Sequence, residues 1–375
     1  MVNEKRLLEE FLEIIQVDSE TKFEGKIVKV LRDKLTELGL EVFEDDTASI
    51  TKHEAGNLFA FLKGNVEGAD ALMFNAHMDT VSPGVGIKPS VKDGWVVSDG
   101  TTILGGDDKA GVAALLEVIR ILKENKLPHG DIQFVFTAGE ESGLAGARAL
   151  DPKHLKAKYG YSLDTGGKVG IVNTQAPARY SVTANIHGKS AHAGVAPETG
   201  VSAIQIAGKA IANMPLGRID FETTANIGVI QGKSPLNVVC DHVLVSAEAR
   251  STDKAKLDAQ IKAMTDAFEK AAEEFGGKVE ISVEIFYKSF KLGEESPVVD
   301  IAKRAAAKIG RSCTISAGGG GSDGNIFNGH GVPTAVLACG YEDCHTKNEK
   351  QSVEELYKSA EMVLAIISEV ASSKK

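Results

Sequence analysis

Cysteine is scarce in this sequence: four residues in 375, Cys240, Cys313, Cys339 and Cys344, with no CxxC spacing among them. That argues against a disulfide-stapled scaffold and makes the cytoplasm the expected compartment. Long apolar runs are missing as well. No segment approaches the roughly 18 uncharged residues of a membrane span. The opening MVNEKRLLEEFLEIIQVDSE carries charges throughout its apolar periodicity, as an amphipathic helix does and a signal peptide does not. Positive charge is the minority sign: 42 Lys and Arg against 52 Asp and Glu leave a formal charge of −10. A polyanion would meet net repulsion, so nucleic acid is not an expected partner. Repeats and low-complexity tracts are absent apart from the glycine run Gly318 to Gly321. What remains is an ordinary globular composition, 43% hydrophobic and 25% charged, in a chain long enough for two domains.

Apolar periodicity predicts helices at about 3–16 and 24–38, then short strands near 40–44, 57–63 and 71–76. A helix at about 108–124, the strand DIQFVFTA (131–138), a short helix from about 143 and the strand YGYSLD (159–164) continue an α/β alternation. From about 179 the order becomes strand, helix 198–213, strands 222–231 and 237–249, helix 253–275 and strand 278–287. That is the β-α-β-β-α-β order of a ferredoxin-like unit. A helix at 297–309, strands at 313–316 and 332–338, and a closing helix from about 352 resume the first pattern. The expectation is a mixed-sheet α/β domain made of residues 1–177 and 293–375, interrupted by an inserted α+β domain at 178–292.

The residues able to do chemistry fall at predicted strand ends. His77 and Asp79 follow the run ALMFNA two positions apart, so strand geometry turns both to one side. A carboxylate there can orient the imidazole toward a metal, although a satisfied structural histidine fits the pair too. Asp107 and Asp108 follow two glycines and open the helical KAGVAALLEVIRIL; Asp is a favoured helix cap, but two adjacent aspartates exceed what one cap needs. Glu140 and Glu141, in TAGEESG, repel each other unless a cation or a proton separates their roles. One then suits metal binding and its neighbour general base catalysis, the plainer alternative being a solvated pair at a helix start. Asp164 ends YGYSLD, and His345 follows VPTAVLACG. Ligands of open α/β sheets bind at the carboxyl edge of the strands. Two histidines with several carboxylates suit a hydrolytic two-metal site better than a structural zinc site. Cys344 reads as a small buried side chain, and His53, His129, His154, His242 and His330 as surface or packing residues.

The motifs NAHMDTV, LGGDDKAG, TAGEESG, SLDTGG, HGKSAHAG and CHTKNE, in that order across nearly the whole chain, resemble those of the M20 family of co-catalytic metallopeptidases, most closely its peptidase T branch. The resemblance implies a zinc-exopeptidase-like α/β domain with a ferredoxin-like lid, and two zinc ions for which cobalt or manganese can substitute. His77 and Asp164 would bind one ion, Glu141 and His345 the other, and Asp107 would bridge them. Asp79 would orient His77, and Glu140 would carry the proton from water to the leaving amine. The Asp107–Asp108 peptide would be cis. His192, in the inserted domain, would donate to the oxyanion, and Asn237 and Arg250 match substrate-binding positions of the lid. Gly321 and Ser322 lie in GGGGSDG, which resembles the GGTDG loop of peptidase T, but Gly319 stands where that branch usually has Arg. The substrate is therefore left open between di- or tripeptides and N-acyl amino acids. A homodimer paired through the lid is a further implication.

Two rival readings are weaker. Ser322 within GxSxG, followed by Asp343 and His345, has the chain order of an α/β-hydrolase triad; only 23 residues and one strand separate Ser322 from His345, and the paired acids stay unexplained. A non-catalytic binding relative would have lost Glu140 or a ligand, and none is lost. The GKS tripeptides at 188–190 and 232–234 lack the earlier glycine of a phosphate loop, having Thr183 and Ile227 there.

Overall fold

A computed structural model describes residues 1–372. The chain forms two compact units. Met1–Gln175, Lys291–Gly318 and the stretch from Ser322 onward make the first; Ala176–Phe290 with Gly319–Gly321 make the second. All of the glycine run but Gly318 thus goes with the second unit, where the sequence alone placed it in the α/β domain.

The first unit has the mixed α/β architecture expected. Its sheet runs in the order Glu41–Glu44, Leu58–Leu62, Ile132–Thr137, Leu72–His77, Tyr159–Thr165, Thr334–Ala338, Ile171–Ala176 and Phe290–Lys291, with Thr314–Ala317 pairing beside Ile171–Ala176. The four central strands, from Ile132–Thr137 to Thr334–Ala338, are mutually parallel, and the neighbours on either side pair antiparallel. Parallel strands are covered on both faces, which is why Leu72–His77 and Ile132–Thr137 are buried at every position. Helix Gly106–Glu124 packs on Leu72–His77 from one side and meets helices Glu4–Ile15 and Val353–Ser372 from the other. It is buried almost throughout, so its sequence reads as nearly continuous apolar residues. The Asn3 side chain caps the first helix by accepting the Arg6 N–H.

Periodicity did not anticipate a small sheet in the order Tyr341–Glu342, Lys350–Ser352, Trp95–Val97 and Ser90–Lys92. Its two- and three-residue strands are too short to show a period. The strand Ile171–Ala176 and the helix Asp323–Gly329 were likewise unanticipated.

The second unit is an antiparallel sheet in the order Gly217–Arg218, Thr223–Gln231, His242–Ser251, Ala178–His187 and Lys278–Tyr287. Helices Ala203–Asn213 and Lys254–Phe275 cover the face marked by alternating buried residues in Ala178–His187. Leaving aside the two-residue edge strand, this is the ferredoxin-like order. Helix Lys254–Phe275 is bounded by the Asp253 cap, which accepts two backbone N–H groups, and by Gly276 in the left-handed region. Two boundaries differ from expectation. The first helix starts at Ala203, capped by Ser202, because Pro197 opens a separate short turn. The strand expected at 237–249 begins at His242, because residues 237–241 form a loop hydrogen-bonded to Ala193 and Gly188.

Candidate active site

The carboxyl ends of the parallel strands deliver the candidate residues to one edge of the first unit. Leu72–His77 ends on the buried His77 ring. Its Nε2 lies 3.0 Å from Asp107 Oδ1 and 3.8 Å from Asp164 Oδ1. Its Nδ1 lies 3.0 Å from the Asp79 carbonyl oxygen and 3.5 Å from Asp79 Oδ1. The second oxygen of Asp107 lies 3.4 Å from His345 Nε2, which is 2.8 Å from Glu141 Oε1. Asp107 therefore stands between the two histidines with one oxygen toward each. The Asp107–Asp108 peptide is cis. Tyr341 donates its hydroxyl to Asp164 at 3.3 Å.

Asp79 is wholly buried and does more than face His77. Its Oδ1 accepts the Glu140 N–H at 3.0 Å and its Oδ2 the Glu141 N–H at 3.2 Å. One carboxylate thus holds both a ring and the turn bearing the paired glutamates.

Among the described residues, three groups offer three ligand atoms within 4.8 Å of one another: His77 with Asp107 and Asp164, His77 with Glu140 and Glu141, and Asp107 with Cys344 and His345. In the last, the Cys344 sulfur is near two candidate ligands, while the half-buried side chain packs against the first unit's core, in keeping with its reading as a small packing residue. Without a cation, burial pushes its thiol up to about 12.

The charges are out of balance without a cation. Burial, followed by the charge of Asp164, pushes the Glu140 carboxyl well above the carboxylate range, and burial does the same to Asp164. Glu141 is raised for the same reason. Burial also opposes the charge on Asp107, but hydrogen bonds from His345 and His77 outweigh it and hold its carboxyl low. Hydrogen bonds to Asp107 and Glu141 raise the His345 imidazolium to about 10. Crowded oxygen and nitrogen donors at the rim of a sheet fit divalent cations, which would relieve the repulsion.

Two residues of the site, Glu349 and Asp323, were not singled out in the sequence. Glu349, buried, accepts the N–H groups of Leu104 and Gly105 at 2.8 Å and of Asp107 at 2.9 Å, fixing the loop that presents Asp107. It closes the CHTKNE motif, the one signal that pointed to it. Asp108 accepts the His77 N–H at 3.1 Å. Asp323, buried and hydrogen-bonded by Thr137, is raised by burial to about 6.

Five other candidates divide between the units. In the second unit, His192 and Asn237 are exposed on adjacent loops joined by the Ala193 N–H to Asn237 carbonyl bond of 2.9 Å. Arg250 is held by both oxygens of Glu248 at 2.9 and 3.3 Å. Gly321 lies under Tyr287, where a Cβ would stand 2.2 Å from the ring. In the first unit, Ser322 caps helix Asp323–Gly329 in a capping box with Asn325, while the His345 ring faces Asp107 and Glu141. Ser322 thus serves as a cap and His345 faces carboxylates, which does not resemble a serine nucleophile and its base.

The model of peptidase family M20/M25/M40 matches residues 73–369. The chain belongs to that family. Among M20 peptidases of known structure, the Bacillus cereus aminopeptidase PepT is 59% identical with a TM-score of 0.91, each chain covered to 99%. A Staphylococcus aureus tripeptidase is 48% identical with a TM-score of 0.94, again with 99% of each chain covered. The Bacillus subtilis protein YqjE is 57% identical over 99% of this chain and 100% of its own, and peptidase T of Salmonella dublin is 28% identical over 96% and 97%. This M20 peptidase is thus a hydrolase of peptide bonds, and among its described residues no helix is long and apolar enough to cross a membrane.

Proposed function

We propose that the chain is a two-metal aminopeptidase that removes the amino-terminal residue of small peptides, tripeptides foremost. The observation that carries this reading is Asp107 set between His77 and His345, one oxygen toward each. His77, Asp107 and Asp164 would hold one ion, and Asp107, Glu141 and His345 the other. When bound, divalent cations, zinc in this reading with cobalt or manganese as substitutes, polarise the scissile carbonyl and acidify water. The Glu140 carboxylate then takes the proton of the attacking water and returns it to the leaving amine. Asp79 keeps His77 and the Glu140 turn in register. On the family resemblance, His192 supplies the oxyanion donor, and Asn237, Arg250, Gly321 and Ser322 contact the substrate.

The names of the Bacillus cereus and Staphylococcus aureus structures support a peptide with a free amino end. Gly319, in place of an arginine, supports a second reading in which N-acyl amino acids are cleaved. The deciding experiment assays one zinc- or cobalt-loaded preparation on di- and tripeptides and on N-acetyl amino acids, with a chelator control. Tripeptide turnover that the chelator abolishes is the expected result. Turnover of the acylated class alone removes the aminopeptidase assignment, and turnover untouched by chelation with no bound metal removes the mechanism.

A further inference from the structure

Glu24, His53 and Ser142, from three separate stretches of the first unit, form a polar chain behind the turn that carries the paired glutamates. His53 is 9% exposed and Glu24 wholly buried. His53 Nδ1 lies 3.2 Å from Glu24 Oε1, and its Nε2 lies 3.5 Å from Ser142 Oγ. Glu24 is itself fixed, accepting the Lys22 N–H at 2.8 Å. Ser142 donates to the Gly139 carbonyl at 3.0 Å.

The ring presses on the turn as well as bonding to it. Gly139 has φ +65°, and a Cβ there would stand 2.2 Å from His53 Cε1 and 2.5 Å from Nδ1. Only glycine permits both the left-handed backbone and the approach of the imidazole. On another side, Asp79 holds the N–H groups of Glu140 and Glu141. The turn closes on itself through the Gly143 and Leu144 N–H groups, which reach the Glu140 carbonyl at 3.0 and 2.7 Å. Without His53, Asp79 and these internal bonds remain, but the Gly139 to Ser142 side loses the ring that backs it.

We infer that His53, anchored by Glu24, is a positioning residue for peptide hydrolysis: it braces residues 139–142 and so sets where the Glu140 carboxylate meets the attacking water. The inference rests on the reading of Glu140 as general base. A misplacement of about 1 Å at such a group costs on the order of 10²-fold in rate.

The test uses the full-length metal-loaded enzyme and its best tripeptide substrate. H53A should lower kcat by about 10- to 100-fold, with KM within about twofold and both metals retained. H53Q, which keeps a side-chain donor toward Glu24, should recover most of the loss. In the metal-free protein, amide hydrogen exchange of H53A should rise at residues 139–145 and stay unchanged in the strands. In the E140Q background, adding H53A should cost nothing further, because the brace acts through Glu140. Should H53A fail to fold, S142A keeps the test open with a several-fold fall in kcat expected. A normal kcat in a folded but less stable H53A would make His53 a packing residue, and an undiminished effect in the E140Q background would also overturn the proposal. An unimpaired E140Q removes the general-base reading itself, whereas an impaired E140Q beside a normal H53A removes only the brace.

Discussion

Seven carboxylates, those of Asp79, Asp107, Asp108, Glu140, Glu141, Asp164 and Asp323, lie around two imidazoles, and their roles separate by what each touches. Glu140 is the one read as a proton carrier and His345 as a ligand, so their variants should differ in kind. E140Q should keep both metals and lose about 10² to 10⁴ in kcat; H345A should lose metal first, as metal analysis beside kinetics would show. Acidity adds a second expectation. In the metal-free protein His345 is raised from 6.5 to about 10 and Asp323 from 3.8 to about 6. A group raised on folding stabilises fully below its unfolded pKa and ceases to do so as pH climbs through its folded pKa. The metal-free protein should therefore lose stability from about pH 4 to about pH 7; above that, Lys109, which burial holds down to about 7, gains stability with pH and offsets His345. Metal must displace the His345 proton, so its affinity should rise as pH climbs toward about 10. Melting temperatures with and without chelator, together with calorimetry in buffers of different ionisation enthalpy, measure both. A metal-free melting temperature that rises from pH 4 to pH 7 would contradict this expectation.

At the scale of elements, burial decides whether a helical glycine is a weakness or a necessity. Gly208, in helix Ala203–Asn213, has no atom within 4 Å of a prospective Cβ, whereas at Gly111, in helix Gly106–Glu124, a Cβ would stand 2.5 Å from Asp108 Oδ1 and 2.8 Å from the Leu163 carbonyl. G208A should stabilise by about 0.5–1 kcal/mol, and G111A should destabilise by about 1–3 kcal/mol, readable as opposite shifts in chemical denaturation midpoint. The same contrast between pattern and contact explains what the sequence revealed. Long helices and central strands carry a period or an unbroken apolar run, and His77, Glu140 and Asp164 stand out because they are polar where such runs stop. Glu349, His53 and Asp323 escaped notice because their partners lie far away in the chain: backbone amides for Glu349, Glu24 for His53 and Thr137 for Asp323. The small sheet around residues 341–352 stayed hidden because strands of two or three residues have no pattern to read.

At the scale of the whole molecule, Lys278–Tyr287 is the last strand in the second unit's sheet among the described residues and exposes Val283 and Ile285 at 45% and 50%. An apolar sheet edge of this kind invites pairing with another copy. We expect a homodimer through this edge, and V283K with I285K should shift the sedimentation coefficient to that of a monomer while metal content, which the proposed first-unit ligands would set, stays unchanged. A wild-type chain that sediments as a monomer at all concentrations would refute it.

The position of Thr334–Ala338, between Tyr159–Thr165 and Ile171–Ala176 in the first unit's sheet, also sets a timetable. A ribosome releases the chain from its amino end at about 5–20 residues per second. His77, Asp107, Glu141 and Asp164 emerge early, yet the strand that joins the sheet beside Asp164, and His345 after it, come more than 160 residues later. On the reading of these residues as metal ligands, a nascent chain carries four of the five and cannot complete the set. On that reading, an enzyme that cuts peptides is expected to stay inert through most of its own synthesis, because of the order in which its sheet is filled.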